Sequence, residues 1–208
     1  AGVDATICEG SDYTLTSSTA TDATSLLWTS SGTGTFDDAT ILAATYTPSP
    51  ADITSGSVTL TLTAQSAAPC VEATDAMVLS ISLQATADAG VDATICEGSS
   101  YTLSTAAATN ATLVTWSSNG TGSFDDVNLV NATYTPSAAD VLNGSVILTM
   151  TVTSAAPCIG DVDQMVLTIN PQATVSAGVD ATICEGLDYT LTSANATDAT
   201  SLLWTTSG

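Results

Sequence analysis

The sequence predicts an all-β protein built from tandem sandwich domains, and three observations support this class. The segment AGVDATICEG begins at residues 1, 89 and 177, so the chain repeats with a period of 88 residues. Apolar and polar residues alternate in runs rich in β-branched side chains, such as 57–63, which is typical of strands. The aromatic residues recur at fixed positions of the repeat.

The period divides the chain into repeats 1–88 and 89–176 and an incomplete third repeat, 177–208. The first two agree at 53 of 88 positions. The third matches the first at 28 of 32 positions and the second at 20 of 32, so we expect two repeat types to alternate along a longer chain. A sandwich cut inside the third repeat would leave strands unpaired, so we expect further chain or a neighbouring subunit to complete it.

Strands and turns follow one another in a regular order within the repeat. Segments rich in Gly, Pro and Ser separate the strands at 9–11, 31–34, 48–50 and 54–56. About seven short strands in one repeat is the pattern of an immunoglobulin-like β-sandwich. In the first repeat the predicted strands are 3–8, 12–17, 25–30, 34–37, 41–48, 57–65 and 75–83.

The aromatic positions fit the core of such a sandwich. Trp28 lies on the predicted third strand and Tyr46 lies near the turn after the fifth, and Trp116 and Tyr134 occupy the same places in the second repeat. We therefore expect these side chains to fill the space between the sheets. The alternative is a sugar-binding platform, which would need exposed aromatic rings beyond this set.

The charge balance excludes several classes of function. The chain has 21 acidic residues and no Lys, Arg or His, which gives a net charge of −21. Binding to nucleic acid or to an anionic membrane surface needs cationic side chains. Catalysis by an imidazole or an amine is equally excluded, and no repeat is singled out by a pair of carboxylates, so we expect no enzyme. No apolar run reaches the roughly 20 residues of a membrane-spanning helix, so we expect no insertion into a bilayer.

Cysteines recur twice in each repeat. Cys8 and Cys70 return as Cys96 and Cys158, and Cys184 begins a third pair. The absence of His and of CxxC spacing favours disulfides over zinc, and disulfides indicate an extracellular, oxidising location.

Two pairings of these cysteines are open. The first choice is a bond within one repeat, between Cys8 and Cys70. In the sandwich topology, however, Cys8 lies at the trailing end of its repeat and Cys70 at the leading end, which is too far for a disulfide unless the first strand is short. The trailing end of one repeat meets the leading end of the next. A bond from Cys8 to Cys158 across the junction is therefore the second choice.

The acidic residues carry the remaining chemistry. Several recur in both complete repeats, and some fall where repeats should meet. Calcium is a hard cation that prefers carboxylate and carbonyl oxygens, so the sequence predicts calcium sites at the junctions and at the pair Asp37 and Asp38. The alternative is that these residues cap turns as solvated surface charges. The candidate ligands are Asp4, Glu9, Asp37, Asp38, Asp52, Asp88, Asp92, Glu97, Asp125, Asp126, Asp140, Asp161, Asp163 and Asp180.

The motifs together resemble a known repeat class. AGVDATICEG, the Trp-containing SLLWTSSGTGTF, ATYTPS, GSVTLTLTA, a Cys after SAAP and the final DAMVLSI are similar to the tandem immunoglobulin-like (PKD-like) repeats of giant secreted surface proteins and adhesins of Bacteroidota-type bacteria. The resemblance extends over the whole chain. It implies a surface stalk, adhesin or filament.

These observations predict a structural extracellular protein of the bacterial cell surface, a calcium-stabilised stalk or filament. The expected partners are further copies of the same repeat, in the same chain or in neighbouring subunits. The alternative is an adhesin module that binds a glycan or a protein through loops unique to one repeat type, such as 128–131.

Overall fold

A computed structural model describes residues 1–207, and Gly208, the last residue of the predicted third repeat, lies outside the described residues. Two β-sandwiches follow one another along the chain, and a two-stranded ribbon comes after them. Strands account for nearly all of the regular structure, as the sequence predicts, with a single short helix in each sandwich.

The first sandwich contains seven strands and one helix. They are β1 (Ala5–Cys8), β2 (Tyr13–Thr14), β3 (Ser25–Ser30), β4 (Thr35–Phe36), β5 (Thr45–Thr47), α1 (Pro50–Ser55), β6 (Ser57–Gln65) and β7 (Ala73–Ser82).

The second sandwich has the same elements and two more strands. They are β8 (Thr86–Asp88), β9 (Ala93–Cys96), β10 (Tyr101–Thr102), β11 (Ala107–Thr109), β12 (Leu113–Ser118), β13 (Ser123–Phe124), β14 (Thr133–Thr135), α2 (Ala138–Asn143), β15 (Ser145–Thr153) and β16 (Asp161–Asn170). The ribbon of the third repeat is β17 (Thr174–Ser176) and β18 (Asn195–Thr197).

The strand order is that of an immunoglobulin-like sandwich. One sheet of the first repeat has the order β1-β7-β6-β3 and the other the order β2-β5-β4. β1 pairs with β7 in parallel, and all other strand pairs of the repeat are antiparallel. Because β1 and β7 run in the same direction, both end at the trailing end of the repeat, where the chain leaves for the next one.

The aromatic side chains lie in the core, as predicted. Trp28 and Tyr46 are 2% and 0% exposed, and Phe36 lies between them with ring centroids 6.2 Å and 4.9 Å away. Trp116 and Tyr134 are buried in the same way in the second repeat. The rings are therefore not available as a sugar-binding platform in either sandwich.

A helix replaces part of a predicted loop. The sequence predicts turns on both sides of residues 51–53, whereas the structure forms α1 there. Ser49 caps its first turn in a capping box with Asp52, Pro50 begins it, and Gly56 ends it with φ of 74°. The predicted strand 41–48 is shortened to β5, mainly by the loss of residues 41–44. The Ser-Pro-Ala-Asp sequence carried this signal, but it is brief and looks like a turn.

The carboxylate of Asp52 holds the loops around the helix. Its side chain is only 3% exposed, and it accepts hydrogen bonds from the amides of Thr33, Gly34 and Ser49 and from the hydroxyl of Tyr46, all at 2.9 Å. Burial alone would raise the pKa of Asp52. The hydrogen bonds from Ser49, Thr33 and Tyr46 outweigh that effect and lower its pKa to about 2. Asp140 repeats this arrangement in the second sandwich.

The structural unit begins a few residues before the sequence period does. β8 pairs with β11 of the second sandwich, and Ala85 and Ala89 both lie in that sandwich's core. Residues 85–88 therefore pack with the second repeat, although the repeat of the sequence places them in the first. The predicted strand 12–17 is shortened to β2 in the first repeat and to β10 in the second, and β11 is a further strand that was not predicted.

We expect Asp52→Asn to lower the free energy of unfolding at pH 7 by about 2 kcal/mol, because the folded pKa near 2 lies below the ordinary value of 3.8. The side-chain NH2 group of the asparagine would also face backbone N–H groups, and two donors cannot form a hydrogen bond with each other. In the parent chain this contribution is complete above about pH 5 and is lost as the pH falls through 2. Urea unfolding at pH 7 and at pH 2 measures both effects.

The exposed Asp12 offers a matched control, since Asp12→Asn has no such hydrogen bonds to lose. Equal unfolding curves for the two variants at pH 7 would contradict the structural role of Asp52.

Candidate functional site: the junction between repeats

The junction forms where the trailing end of the first repeat meets the leading end of the second. Cys8 and Ser82 are the last residues of β1 and β7. They lie side by side at this end because they are partners in the parallel ladder. The loop between β15 and β16 approaches from the second repeat. A linker of only three residues, 83–85, connects β7 with β8. The two sandwiches are therefore in direct contact.

A disulfide crosses this junction. Cys8 is bonded to Cys158 with Cα atoms 4.9 Å apart, so the structure has the second of the two predicted pairings. The first choice, Cys8 with Cys70, is wrong, because β1 carries Cys8 to the end of the sandwich opposite the loop that holds Cys70. Within residues 1–207 the remaining cysteines, Cys70, Cys96 and Cys184, are unbonded and exposed.

The cross-link spans a separation of 150 residues, which includes most of both sandwiches. The chain-entropy model values such a loop at about 5 kcal/mol against complete unfolding. A single hydrogen bond contributes about 1 kcal/mol. The disulfide is therefore the strongest single constraint on the relative position of the two repeats.

Side-chain oxygens bind the backbone amides along and just beyond the linker. The amide of Gln84 donates to Glu9 at 2.7 Å, and the amide of Ala85 donates to the hydroxyl of Ser154 at 2.9 Å. Three more donors follow in β8 and after it: Ala87 to Asp161 at 2.9 Å, Ala89 to Asp163 at 2.7 Å and Gly90 to Asp88 at 2.9 Å. Because carboxylate acceptors make strong hydrogen bonds to amides, this stretch has one preferred path.

Neutral side chains complete the contact. The amide group of Gln84 donates to the carbonyl of Ile159 at 2.6 Å, and Asn110 donates to the carbonyl of Gln84 at 3.1 Å. Ser82 donates to the carbonyl of Ala156 at 3.2 Å. Sequence reasoning missed these residues. The one signal in the sequence is that Gln84 recurs as Gln172. A search for recurring charged residues does not select a glutamine.

The predicted metal ligands divide into two groups. Glu9, Asp88, Asp161 and Asp163 do lie at the junction, where each accepts a backbone amide. The others lie outside this junction. Asp4 and Asp92 accept the amides of Val78 and Val166, Asp52 and Asp140 hold their helices, Glu97 accepts the amide of Gln172, and Asp180 is exposed.

The adjacent acids Asp37 and Asp38 organise the loop after β4. Asp37 accepts the amides of Asp38 and Thr45, both at 2.7 Å, and Asp38 accepts the amide and hydroxyl of Thr40. The Thr45 and Asp38 amides lower the pKa of Asp37, and the Thr40 side chain and amide lower that of Asp38. Asp125 and Asp126 repeat the pattern in the second sandwich.

These acids do not form a ligand cluster for calcium. Across residues 1–207, no three side chains of Asp, Glu or Cys converge in a way that could hold a metal ion. Each junction carboxylate already binds an amide. The donor set therefore does not fit a calcium site, which needs six to eight oxygens around one point. Calcium stays a prediction from the sequence alone.

We expect Asp161→Ala to speed exchange of the Ala87 amide about two- to tenfold, because the variant removes its only acceptor at the junction. The amide of Ala89, which binds Asp163, should keep its rate. Hydrogen exchange followed by NMR measures both. Asp180→Ala is the matched control, since Asp180 is exposed. An unchanged Ala87 rate would contradict the assignment.

Known proteins offer limited similarity. No family model and no curated protein matches the chain. Among solved structures, mouse cadherin-23 EC22–24 is similar with 13% identity and a TM-score of 0.49, over 83% of this chain and 64% of that one.

Two others are an I-band fragment of titin, with 10% identity and a TM-score of 0.49 over 81% and 62% of the two chains, and Drosophila N-cadherin EC1–4, with 13% identity and a TM-score of 0.43 over 81% and 47%. The chain thus spans less than two thirds of the length of these structures. At such identities and TM-scores no function is transferred from them.

Proposed function

We propose that the chain is a structural extracellular element, a stalk or filament in which tandem immunoglobulin-like domains are held in a fixed relative orientation. The observation that carries the proposal is the junction, where a disulfide joins the two sandwiches and carboxylates of both repeats bind backbone amides of the linker and of β8. A disulfide between domains is typical of an oxidising location outside the cell. No helix within residues 1–207 has the length and apolar character needed to cross a bilayer.

The charge supports an extended array. With 21 acids and no basic side chain, neighbouring domains repel one another, and the one ion pair within the described residues joins the N-terminal ammonium to Asp75 at 2.6 Å. A flexible string of such domains would separate and bend freely. The junction opposes that freedom because it fixes the short linker on both sides. In the resulting unit, the orientation of one repeat determines the orientation of the next.

A second candidate function is adhesion through the loop between β13 and β14. Residues 127–131 differ from residues 39–43 at all five positions, although the flanking strands are alike. Leu129 is 46% exposed, and Asn128 and Asn131 are exposed beside it. If this loop binds a glycan, the double variant Asn128→Ala, Asn131→Ala loses signal on a glycan array, whereas Thr40→Ala in the first repeat does not.

We expect Cys8→Ser to loosen the junction while leaving both sandwiches folded. In the parent chain, NMR relaxation should give the two repeats one common, anisotropic tumbling. In the variant, the two repeats should tumble with different correlation times, and small-angle X-ray scattering should show a broader distribution of lengths. Cys70→Ser is the matched control, because Cys70 is unbonded. Common tumbling of both repeats in Cys8→Ser would overturn the structural role of the disulfide.

The calcium prediction has its own test. If calcium stiffens the junction, millimolar calcium raises the melting temperature of the chain and a chelator lowers it again. The hydrogen bonds described above lead us to expect no shift of the melting temperature. If calcium instead raises the melting temperature by several degrees, and Asp163→Ala abolishes this increase while Asp12→Ala preserves it, calcium binds at the junction.

A further inference from the structure

We propose that two copies of this chain pack side by side through the outer face of the four-stranded sheet of the second repeat, which has the order β12-β15-β16-β9. The partner is a second copy of the same chain, placed so that like faces meet. The inference goes beyond the proposed function, because a stalk with a fixed junction needs no contact between chains. It names the surface through which neighbouring stalks join.

The outer face consists of the residues that alternate with the core residues along these four strands. On β12 and β15 the even-numbered side chains from Val114 to Trp116 and from Val146 to Val152 are buried, so the odd-numbered ones point outward. On β16 the odd-numbered side chains from Met165 onward are buried, so the even-numbered ones point outward.

The outer face carries no charge. Within β9, β12, β15 and β16, all of which the structure describes, no outward position holds Asp or Glu. Acids of this repeat lie at the rim of the face or beyond it: Asp92 accepts the amide of Val166 at 2.8 Å, and Asp125 accepts that of Thr133 in the opposite sheet. In a chain with a net charge of −21, a second copy is repelled from surfaces that bear acids. At this face two copies approach without placing carboxylates against each other.

Four aliphatic side chains are exposed on this face. Ile147 and Val166 are cross-strand partners at one end of it, with 36% and 37% of their surface exposed. Leu113 and Val162, which are 49% and 56% exposed, lie toward the other end, where each is the cross-strand partner of a Thr of β15. Large aliphatic side chains grouped on one exposed face are typical of an interaction surface.

Neighbouring repeats leave the face uncovered. The first repeat precedes the second and is complete, yet Val162 beside the junction stays exposed. The first repeat is itself followed by a complete repeat, and there Val78, which corresponds to Val166, is 39% exposed. A complete neighbour at either end therefore does not bury this face, and its exposure belongs to the sandwich itself.

The pattern of the face is complementary to itself. Along β16 the outward residues Val162, Gln164 and Val166 read the same in both directions, so a copy turned end for end presents the same order. Between the aliphatic ends, the amide group of Gln164 donates to the hydroxyl of Thr149 at 3.1 Å. Hydroxyl and amide groups both donate and accept hydrogen bonds, so facing rows can satisfy one another. Two copies thus place aliphatic against aliphatic side chains and polar against polar ones.

The size of the face suits a reversible contact. Four strands spaced about 4.8 Å apart, the longer ones of nine and ten residues, give a face of about 500 Å². A pair of such faces buries about 1,000 Å², which is at the lower end of specific interfaces. We therefore expect a dissociation constant of about 10 to 100 μM. Repulsion between the acidic chains opposes the contact, so salt that screens this repulsion should strengthen it.

The first repeat offers an internal comparison. Its outer face has two exposed large aliphatic residues, Leu27 and Val78, instead of four. An acid also lies against it, because Gln65, an outward residue of β6, donates to Glu72 at 2.5 Å. The second repeat has Gly160 in place of this acid. We therefore assign the contact to the second repeat. At the positions of Leu113, Ile147 and Val162 the first repeat has Ser25, Thr59 and Thr74.

The test measures self-association of the full 208-residue chain by sedimentation velocity. The exposed Cys70, Cys96 and Cys184 are replaced by Ser in every sample, so that no disulfide links two copies. Between about 5 and 500 μM chain in about 500 mM NaCl, the monomer should convert to a dimer, and in about 20 mM NaCl the dissociation constant should be about tenfold higher. A chain that stays monomeric throughout, or one that associates more tightly at low salt, overturns the proposal.

A matched pair of variants tests the face itself. Ile147→Glu places a charge on the outer face of the second repeat, and Thr59→Glu places the same charge at the corresponding position of the first. We expect a dissociation constant at least tenfold higher for Ile147→Glu and the parent value for Thr59→Glu. Circular dichroism should show that both variants fold, because both side chains point away from the cores. Equal dissociation constants for the two variants would overturn the assignment to this face.

The outcome is separable from the proposed function. Common tumbling of the two repeats is a property of a single copy and depends on Cys8 and Cys158. A rigid chain that stays monomeric rejects only the contact between copies. A flexible chain that forms the dimer rejects only the rigid stalk.

Discussion

The interaction on which this structure depends is a carboxylate that accepts hydrogen bonds from backbone amides. A chain with no basic side chain cannot neutralise its acids by internal ion pairs, apart from the terminal ammonium. It binds them to amides instead. Asp52 is the deepest example, a buried charge with three amides and a phenol around it. Asp161 and Asp163 use the same chemistry at the junction. Such bonds are directional, so each acid fixes a loop as well as satisfying its own charge.

The junction follows from strand direction. Parallel pairing of β1 with β7 places Cys8 beside the outgoing chain, and the next repeat presents Cys158 in the loop that faces it. The folded positions of both repeats bring the two cysteines together here, because they come from different sandwiches. The bond therefore reports on the relative position of the domains rather than on the integrity of one. The hydrogen bonds to the linker amides have the same effect, because they fix the course of the chain between the two sandwiches.

Much of the fold was open to prediction, because the period of 88 residues, the alternating strands and the recurring aromatic residues are all visible in the sequence. Topological reasoning also placed Cys8 and Cys158 at one junction, although a bond within the repeat was the first choice. The calcium hypothesis treated recurring acids as ligands for a cation. The structure shows them bound to amides, and the sequence has no mark that separates these roles. The helix Pro50–Ser55 was missed because six residues carry too little periodicity to differ from a turn.

The partner of Cys8 tests the central claim most directly. Cleavage on the amino side of Asp places the five cysteines in five different peptides, since Asp4, Asp52, Asp92, Asp140 and Asp180 each begin one. Mass spectrometry of the digest without reductant should find peptide 4–11 bonded to peptide 140–160, as the bond between Cys8 and Cys158 requires. Peptide 4–11 bonded to peptide 52–74 would instead mean that Cys8 pairs with Cys70. The junction described here would then not exist.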